Sequence, residues 1–236
     1  MLQAVLYPST EAIREDWRQA AKLIDHTLLK PDATREQVSR LCREAAEYGF
    51  CSVMVNPSNI AQCKAELRGT AVTVGTVIGF PLGATTSTAK LAEAADALRL
   101  GAGELDMVIN IGALKSGDRA LVQTEMHSLA QRCHRSGAIL KVILEIALLA
   151  TEEKILACQL AAGAGVDFVK TSTGFASAGA TAADVSLMRG VVGQKIGVKA
   201  AGGIRDAHGL LEMVAAGANR IGCSASVAIV QELGAK

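Results

Sequence analysis

The 236-residue sequence predicts an α/β protein, a single-domain (β/α)8 TIM barrel over residues 1–236 with a short N-terminal helix. Three observations carry this expectation. A glycine closes a helix-like stretch and opens a short β-rich run repeatedly along the chain. The runs present one polar and one apolar face. Half of the residues are hydrophobic while only 3% are aromatic, so the core is built from Ala, Val, Ile and Leu. Branched aliphatics of this kind suit parallel strands covered on both sides.

The elements follow in order. Leu23-Ile24-Asp25 is the first strand. The glycine-then-strand pattern recurs at Gly49 (YGFCSVMVN), Gly69 (RGTAVTVGTVIG), Gly101 (LGAGELDMVIN), Gly137 (SGAILKVILEI), Gly163 (AGAGVDFVKTS), Gly193 (VGQKIGVKAAG) and Gly217 (AGANRIGCS). A glycine just past a helix can take the left-handed conformation that ends it. The repeat averages about 28 residues, room for one strand, one helix and two loops. Thr34-Arg-Glu-Gln37 reads as a capping box, with Thr151-Glu-Glu and Thr181-Ala-Ala-Asp184 as related helix starts. Eight strands alternating with helices make a parallel α/β fold.

An open doubly wound sheet would alternate in the same way, and the strand faces separate the two. In Glu104 to Asn110, residues Glu104, Asp106 and Asn110 share a face opposite Leu105, Met107 and Ile109. Lys141, Ile143 and Glu145 likewise oppose Val142, Leu144 and Ile146, and Ser52, Met54 and Asn56 oppose Cys51, Val53 and Val55. Charges repeated on one face are costly to bury beneath helices. They fit the interior of a barrel.

Composition narrows the function. Twenty-four basic against 23 acidic residues give a net charge of +1, with no basic run interleaved with aromatics, which argues against a nucleic-acid partner. Six scattered cysteines show no C-x-x-C and no metal-ligand spacing, the pattern of reduced thiols in a cytoplasmic protein. The start of the chain does not read as a signal peptide. The longest uncharged stretch, Gly69 to Ala89, is too rich in Gly and Thr and contains Pro81, so no membrane segment is expected.

In such barrels the chemistry sits at the C-terminal ends of the strands. Here those ends offer Asp25-His26, Asn56, Gly79-Phe80-Pro81, Asp106 to Asn110, Glu145, Lys170, Lys199 and Gly222-Cys223-Ser224. Lysines end two consecutive strands. If Lys170 and Lys199 both face inward about 6 Å apart, their repulsion at an effective dielectric near 20 is roughly 3 kcal/mol, or about two pKa units. One of them then becomes a neutral amine near pH 7, able to attack a carbonyl. The competing reading pairs each lysine with a carboxylate such as Asp106 or Glu145. Gly202-Gly203 after strand seven and Gly222 to Ser226 after strand eight lie where barrels of this kind often bind phosphate. Ordinary turn chemistry explains either loop alone. His26 at a strand end serves equally well as a structural hydrogen-bonder. No metal or nucleotide signature is present.

These segments also carry a resemblance. IDHTLLKP (Ile24 to Pro31), VIGFPLGAT (Val77 to Thr85), ELDMVINIGALKSGD (Glu104 to Asp118), FVKTSTGF (Phe168 to Phe175), VKAAGGIR (Val198 to Arg205) and the turn at Gly222 resemble, in order and over nearly the whole chain, the deoxyribose-phosphate aldolase family. The resemblance implies class I aldol cleavage of 2-deoxy-D-ribose 5-phosphate to acetaldehyde and D-glyceraldehyde 3-phosphate. It implies Lys170 as the imine-forming nucleophile, Lys199 as the charge that lowers its pKa, and Asp106 in proton transfer through water. Gly202, Gly203 and Ser224 would hold the phosphate, with Thr173 nearby. It implies no cofactor and no metal, because the protonated imine is the electron sink, and it points to a homodimer. The chain departs from the family in having Glu145-Ile146-Ala147 where Glu-Thr-Cys is frequent. It has Gly234-Ala235-Lys236 where some members end in a tyrosine that serves enamine protonation, and its two tyrosines are Tyr7 and Tyr48. It also has Cys223 where other small residues are common. A different imine-forming aldolase, a phosphosugar isomerase and a silent phosphosugar-binding protein are the competing readings.

Overall fold

Alternate residues on a strand point to opposite sides, and in this chain both sets are committed to burial. The computed structural model describes residues 8–235; Tyr7 and Lys236 lie outside them. The eight strands are β1 (Ile24–Leu28), β2 (Ser52–Val55), β3 (Thr73–Ile78), β4 (Glu104–Val108), β5 (Ile139–Ile143), β6 (Phe168–Lys170), β7 (Gly197–Ala201) and β8 (Arg220–Cys223). Each pairs in parallel with the next, and β8 closes on β1 with Asp25 beside Gly222. The outward set, including Ile24, Val53, Val74, Leu105, Val142, Val169, Val198 and Ile221, is buried under the helices.

Those helices are α1 (Thr10–Glu15), α2 (Trp17–Ala21), α3 (Arg35–Tyr48), α4 (Ile60–Glu66), α5 (Ser87–Arg99), α6 (Ile111–Lys115), α7 (Arg119–Arg135), α8 (Thr151–Ala164), α9 (Ala182–Val192), α10 (Ala207–Ala215) and α11 (Ser226–Glu232). The expected N-terminal helix is two short ones. Asp16, extended at φ −142°, ends α1 and caps α2 by accepting from the Arg18 amide. Thr34 and Gln37 form the expected reciprocal capping box, and Thr181 caps α9 through the Asp184 amide.

Several boundaries differ from the sequence expectation. β1 runs on to Leu28, so Asp25 and His26 lie near its start and not at its C-terminal end, and β5 ends at Ile143, so Glu145 lies beyond the strand. Gly163 lies inside α8, and Gly165, at φ 77°, is the cap, because the helix keeps its hydrogen bonds through Ala164. The same helix starts one residue earlier than Thr151 suggests, with the Ala150 amide donating to Glu153. Asn110 is not an inward strand residue. Its side chain accepts from the Ala113 amide and caps α6.

The inward set includes long side chains such as Lys141, Lys199 and Phe168, and glycines on neighbouring strands make room for Lys199 and Phe168. A Cβ on Gly197 would lie 2.1 Å from the Phe168 ring, and one on Gly222 would lie 2.9 Å from Lys199 Cε. Phe168 cannot move aside readily, since the Arg220 guanidinium lies 5.2 Å from its ring centroid. Gly190, exposed on α9, has nothing within 4 Å of its Cβ position. Gly197→Ala should therefore cost about 1–3 kcal/mol by overpacking. Gly190→Ala should gain roughly 0.5–1 kcal/mol from helix propensity. Urea unfolding of the two variants checks the pair, and equal midpoints would show that the interior is looser than described.

Candidate active site

The barrel encloses seven ionisable side chains on its inward face. Asp25 comes from β1, Glu104 and Asp106 from β4, Lys141 from β5, Lys170 from β6, Lys199 from β7 and Arg220 from β8. Asp106 is fully buried and is the hub. Its Oδ1 accepts from Lys141 Nζ at 2.9 Å, and its Oδ2 accepts from Lys170 Nζ at 2.8 Å and Lys199 Nζ at 2.7 Å. Below it, Asp25 lies 2.5 Å from Lys199 and 2.7 Å from Arg220, while Glu104 joins Lys141 at 2.5 Å and Arg220 at 2.9 Å. The register explains the contacts, with Asp106 beside Lys141 and Lys170 beside Lys199 on adjacent strands.

Three carboxylates face four bases in this interior, so full ionisation leaves one positive charge in excess. The base placed to give up its proton is Lys170, at the top of the column. Its pKa is lowered to about 8, with burial the largest cause, Asp106 opposing it, and Lys199 and then Lys141 adding to it. Burial is therefore a larger cause than the Lys199 repulsion on which the sequence argument rests. The lower members go the other way. Burial opposes charge in both Lys141 and Asp106, yet their mutual attraction holds Lys141 well above the usual lysine range and Asp106 well below the usual carboxylate range. Lys170 and Lys199 are thus each paired with Asp106, and Lys170 is still depressed.

Lys170 is 3% exposed, and that sliver opens into a cavity of about 420 Å³. Thr27, Leu28, Lys30, Thr173, Phe175, Gly202, Gly203, Arg205, Gly222 and Ser224 are among its walls. Gly202 and Gly203 take consecutive positive φ values of 87° and 82°. A Cβ on Gly202 would press within 3.0 Å of Gly179 Cα, whereas one on Gly203 meets nothing within 4 Å. Ser224 stands one residue before Ala225, the N-cap of α11. Thr173 lines the cavity, but its hydroxyl donates to Glu145 and accepts from the Phe175 amide at 3.0 Å.

His26 points out of the barrel. Its Nδ1 meets Ser226 Oγ at 2.9 Å and its Nε2 meets Glu44 at 2.8 Å, with burial holding its pKa below the usual histidine range against Glu44. It is a structural hydrogen-bonder. Asp25, its neighbour, belongs to the charged column. The sequence placed Glu104 on the inward face with Asp106, but it singled out neither Arg220 as a member of that column nor Lys30 and Arg205 as cations on the cavity wall. The alternation rule that placed Asp106 would have found Arg220, which shares a face with Gly222 on β8.

A family model described as DeoC/LacD family aldolase matches residues 19–231. The chain is 57% identical over 210 residues to the deoxyribose-phosphate aldolase of Streptococcus pneumoniae, covering 89% of this chain and 94% of that one. It is 53% identical over 218 residues to the enzyme of the same name from Aciduliprofundum boonei, covering 92% and 98%. The tetrameric deoxyribose phosphate aldolase structure from Aeropyrum pernix superposes with a TM-score of 0.86 at 34% identity, covering 95% and 97%.

The charge count gives a direct test. Removing the Lys199 charge leaves three bases for three carboxylates, so the column is neutral only when Lys170 keeps its proton. Competitive labelling of the Lys170 peptide against pH should show a midpoint near 8. In Lys199→Leu the midpoint should rise by about one unit or more. An unmoved midpoint would remove Lys199 from the account.

Proposed function

Because the chain belongs to the DeoC/LacD family of aldolases, we propose that it cleaves 2-deoxy-D-ribose 5-phosphate reversibly to acetaldehyde and D-glyceraldehyde 3-phosphate through an imine on Lys170. The protein is an aldehyde-lyase of the aldolase class. The observation that carries the residue assignment is a buried amine, depressed to about 8, that opens only at its tip into a cavity walled by glycine-rich turns. At pH 7 about a tenth of such an amine is neutral, against about one part in three thousand for an ordinary lysine.

The steps follow from that amine. Neutral Lys170 Nζ adds to the C1 aldehyde, and loss of water with uptake of one proton from solvent, returned in the final hydrolysis, leaves a protonated imine. The C3 hydroxyl gives its proton to water held on Asp106, the C2–C3 bond breaks, and its electrons move into the iminium to form an enamine. D-glyceraldehyde 3-phosphate departs. The enamine takes a proton at its terminal carbon, again through water on Asp106, and hydrolysis releases acetaldehyde and restores the amine. Asp106 is 2.8 Å from Lys170 and fully buried, a position suited to passing protons through water at the imine. Lys199 holds Asp106 ionised from the other side and keeps excess positive charge beside Lys170.

The phosphate is assigned to the far end of the cavity, on the Gly202–Gly203 turn and Ser224, with Lys30 and Arg205 supplying positive charge from its exposed wall. Thr173 borders the same region and acts through its backbone placement more than its hydroxyl, which is taken by Glu145 and Phe175. No helix of the described residues is long and apolar enough to cross a membrane, and we place the activity in the cytoplasm. For assembly the resemblance favours a homodimer while the Aeropyrum pernix relative is tetrameric. Light scattering should return twice the chain mass; four times would replace the dimer with the tetramer.

Borohydride reduction in the presence of the sugar phosphate should leave a stable adduct on the Lys170 peptide and abolish activity. The kcat/KM profile should rise with pH through about 8 as Lys170 loses its proton. An adduct on Lys199 instead would exchange the two lysine roles. No adduct in folded protein would move the reading to an isomerase or a phosphosugar-binding protein.

A further inference from the structure

Glu145 is the one non-glycine among the described residues with a left-handed backbone, at φ 56° and ψ 64°. A residue with a Cβ stays in that region only where its surroundings impose it, and glycine would occupy the same turn with less strain. The side chain is buried, and Thr173 is the donor to both of its carboxylate oxygens. The Thr173 amide donates to Oε1 at 3.4 Å and to Oε2 at 3.3 Å, and the Thr173 hydroxyl donates to Oε2.

The backbone shows what this contact continues. At the C-terminal ends of β5 and β6 the Leu144 amide donates to Lys170 O at 2.9 Å and the Ile146 amide to Thr171 O at 3.0 Å. There the main-chain pairing between the two strands runs out. The Glu145 carboxylate supplies the next acceptor, so the segment beyond Lys170 stays tied to β5 for two more residues. Thr173 in turn accepts from the Phe175 amide, which fixes the Gly174 wall of the cavity between them. The other end of the segment is tied to the opposite wall. The Ala180 amide donates to Ala201 O at 3.2 Å and Gly202 O at 3.0 Å, and Gly179 packs against Gly202. Residues 173–180 thus bridge Glu145 to the glycine turn.

We propose that Glu145 is a positioning residue for the phosphate end of the substrate: through Thr173 it holds the Thr173–Phe175 wall in place against the Gly202–Gly203 turn. The proposal rests on the assignment of the phosphate to that turn. Glu145 touches no reacting atom in this scheme and moves no proton. Its loss leaves the Lys170–Asp106 chemistry intact and widens the far end of the cavity.

The test uses Glu145→Gly, which removes the carboxylate while relaxing the backbone, and Glu145→Gln, which keeps an acceptor oxygen for Thr173. Each is assayed with 2-deoxyribose 5-phosphate and with unphosphorylated 2-deoxyribose. For Glu145→Gly we expect kcat/KM on the phosphorylated sugar to fall roughly tenfold or more, mainly through KM, the mark of lost uniform binding. The rate on the unphosphorylated sugar should change little, and Glu145→Gln should recover most of the loss. Hydrogen exchange should show faster exchange in residues 173–180 of Glu145→Gly and nowhere else in the barrel. An equal loss on both sugars, or unchanged discrimination in Glu145→Gly, overturns the positioning role alone. A wild-type enzyme that does not distinguish the two sugars overturns the phosphate assignment and, with it, this proposal.

Discussion

Asp106 is a carboxylate without solvent that touches three ammonium groups, and the rest of the interior is arranged around that fact. Removing charges from water costs several kcal/mol per ion even after relaxation. The barrel offsets this by pairing every member of the column at least once and by stacking the pairs from the open end to the floor. Replacing such a network with well-packed apolar side chains is often neutral or stabilising in other proteins. Stability is therefore a poor reason for its presence. An amine that must be uncharged at neutral pH, next to groups that must stay charged, is a better one.

The column also explains why Lys170 is depressed. Lys141 contacts three carboxylates and Lys199 two, whereas Lys170 contacts Asp106 alone. With four bases over three acids, the excess falls on the base with the fewest partners. Burial sets the scale of the effect and the neighbouring charges decide where it lands. A single pairwise repulsion between Lys170 and Lys199 captures the sign but omits the shared carboxylate, which pulls the other way.

Most of the architecture could be read from the chain, because period-two alternation and helix-ending glycines are local signals. Asp106, Lys170 and Lys199 were visible for the same reason, each being polar at an inward register near a strand end. Arg220 was obscured by its position at the start of β8, the floor of the barrel, where attention to C-terminal strand ends does not reach. The Glu145–Thr173 contact spans 28 residues and depends on a left-handed turn at a non-glycine, which no spacing rule signals. Gly163 and Gly165 illustrate a smaller limit. Two glycines near a helix end are equivalent in sequence, and only the hydrogen bonds of α8 show which one stops it.

The inward glycines carry a consequence for how this interior can change over time. Because a Cβ at position 222 would overlap the stem of Lys199, and one at 197 the ring of Phe168, size at each glycine and length at its neighbour are a single variable. A lineage that shortens Lys199 opens space only its cross-strand partner can refill, and one that enlarges Gly222 first meets a clash before any benefit. Substitutions here should be inherited in couples, and successful redesign of the pocket floor should begin from pairs of strands, not from single sites.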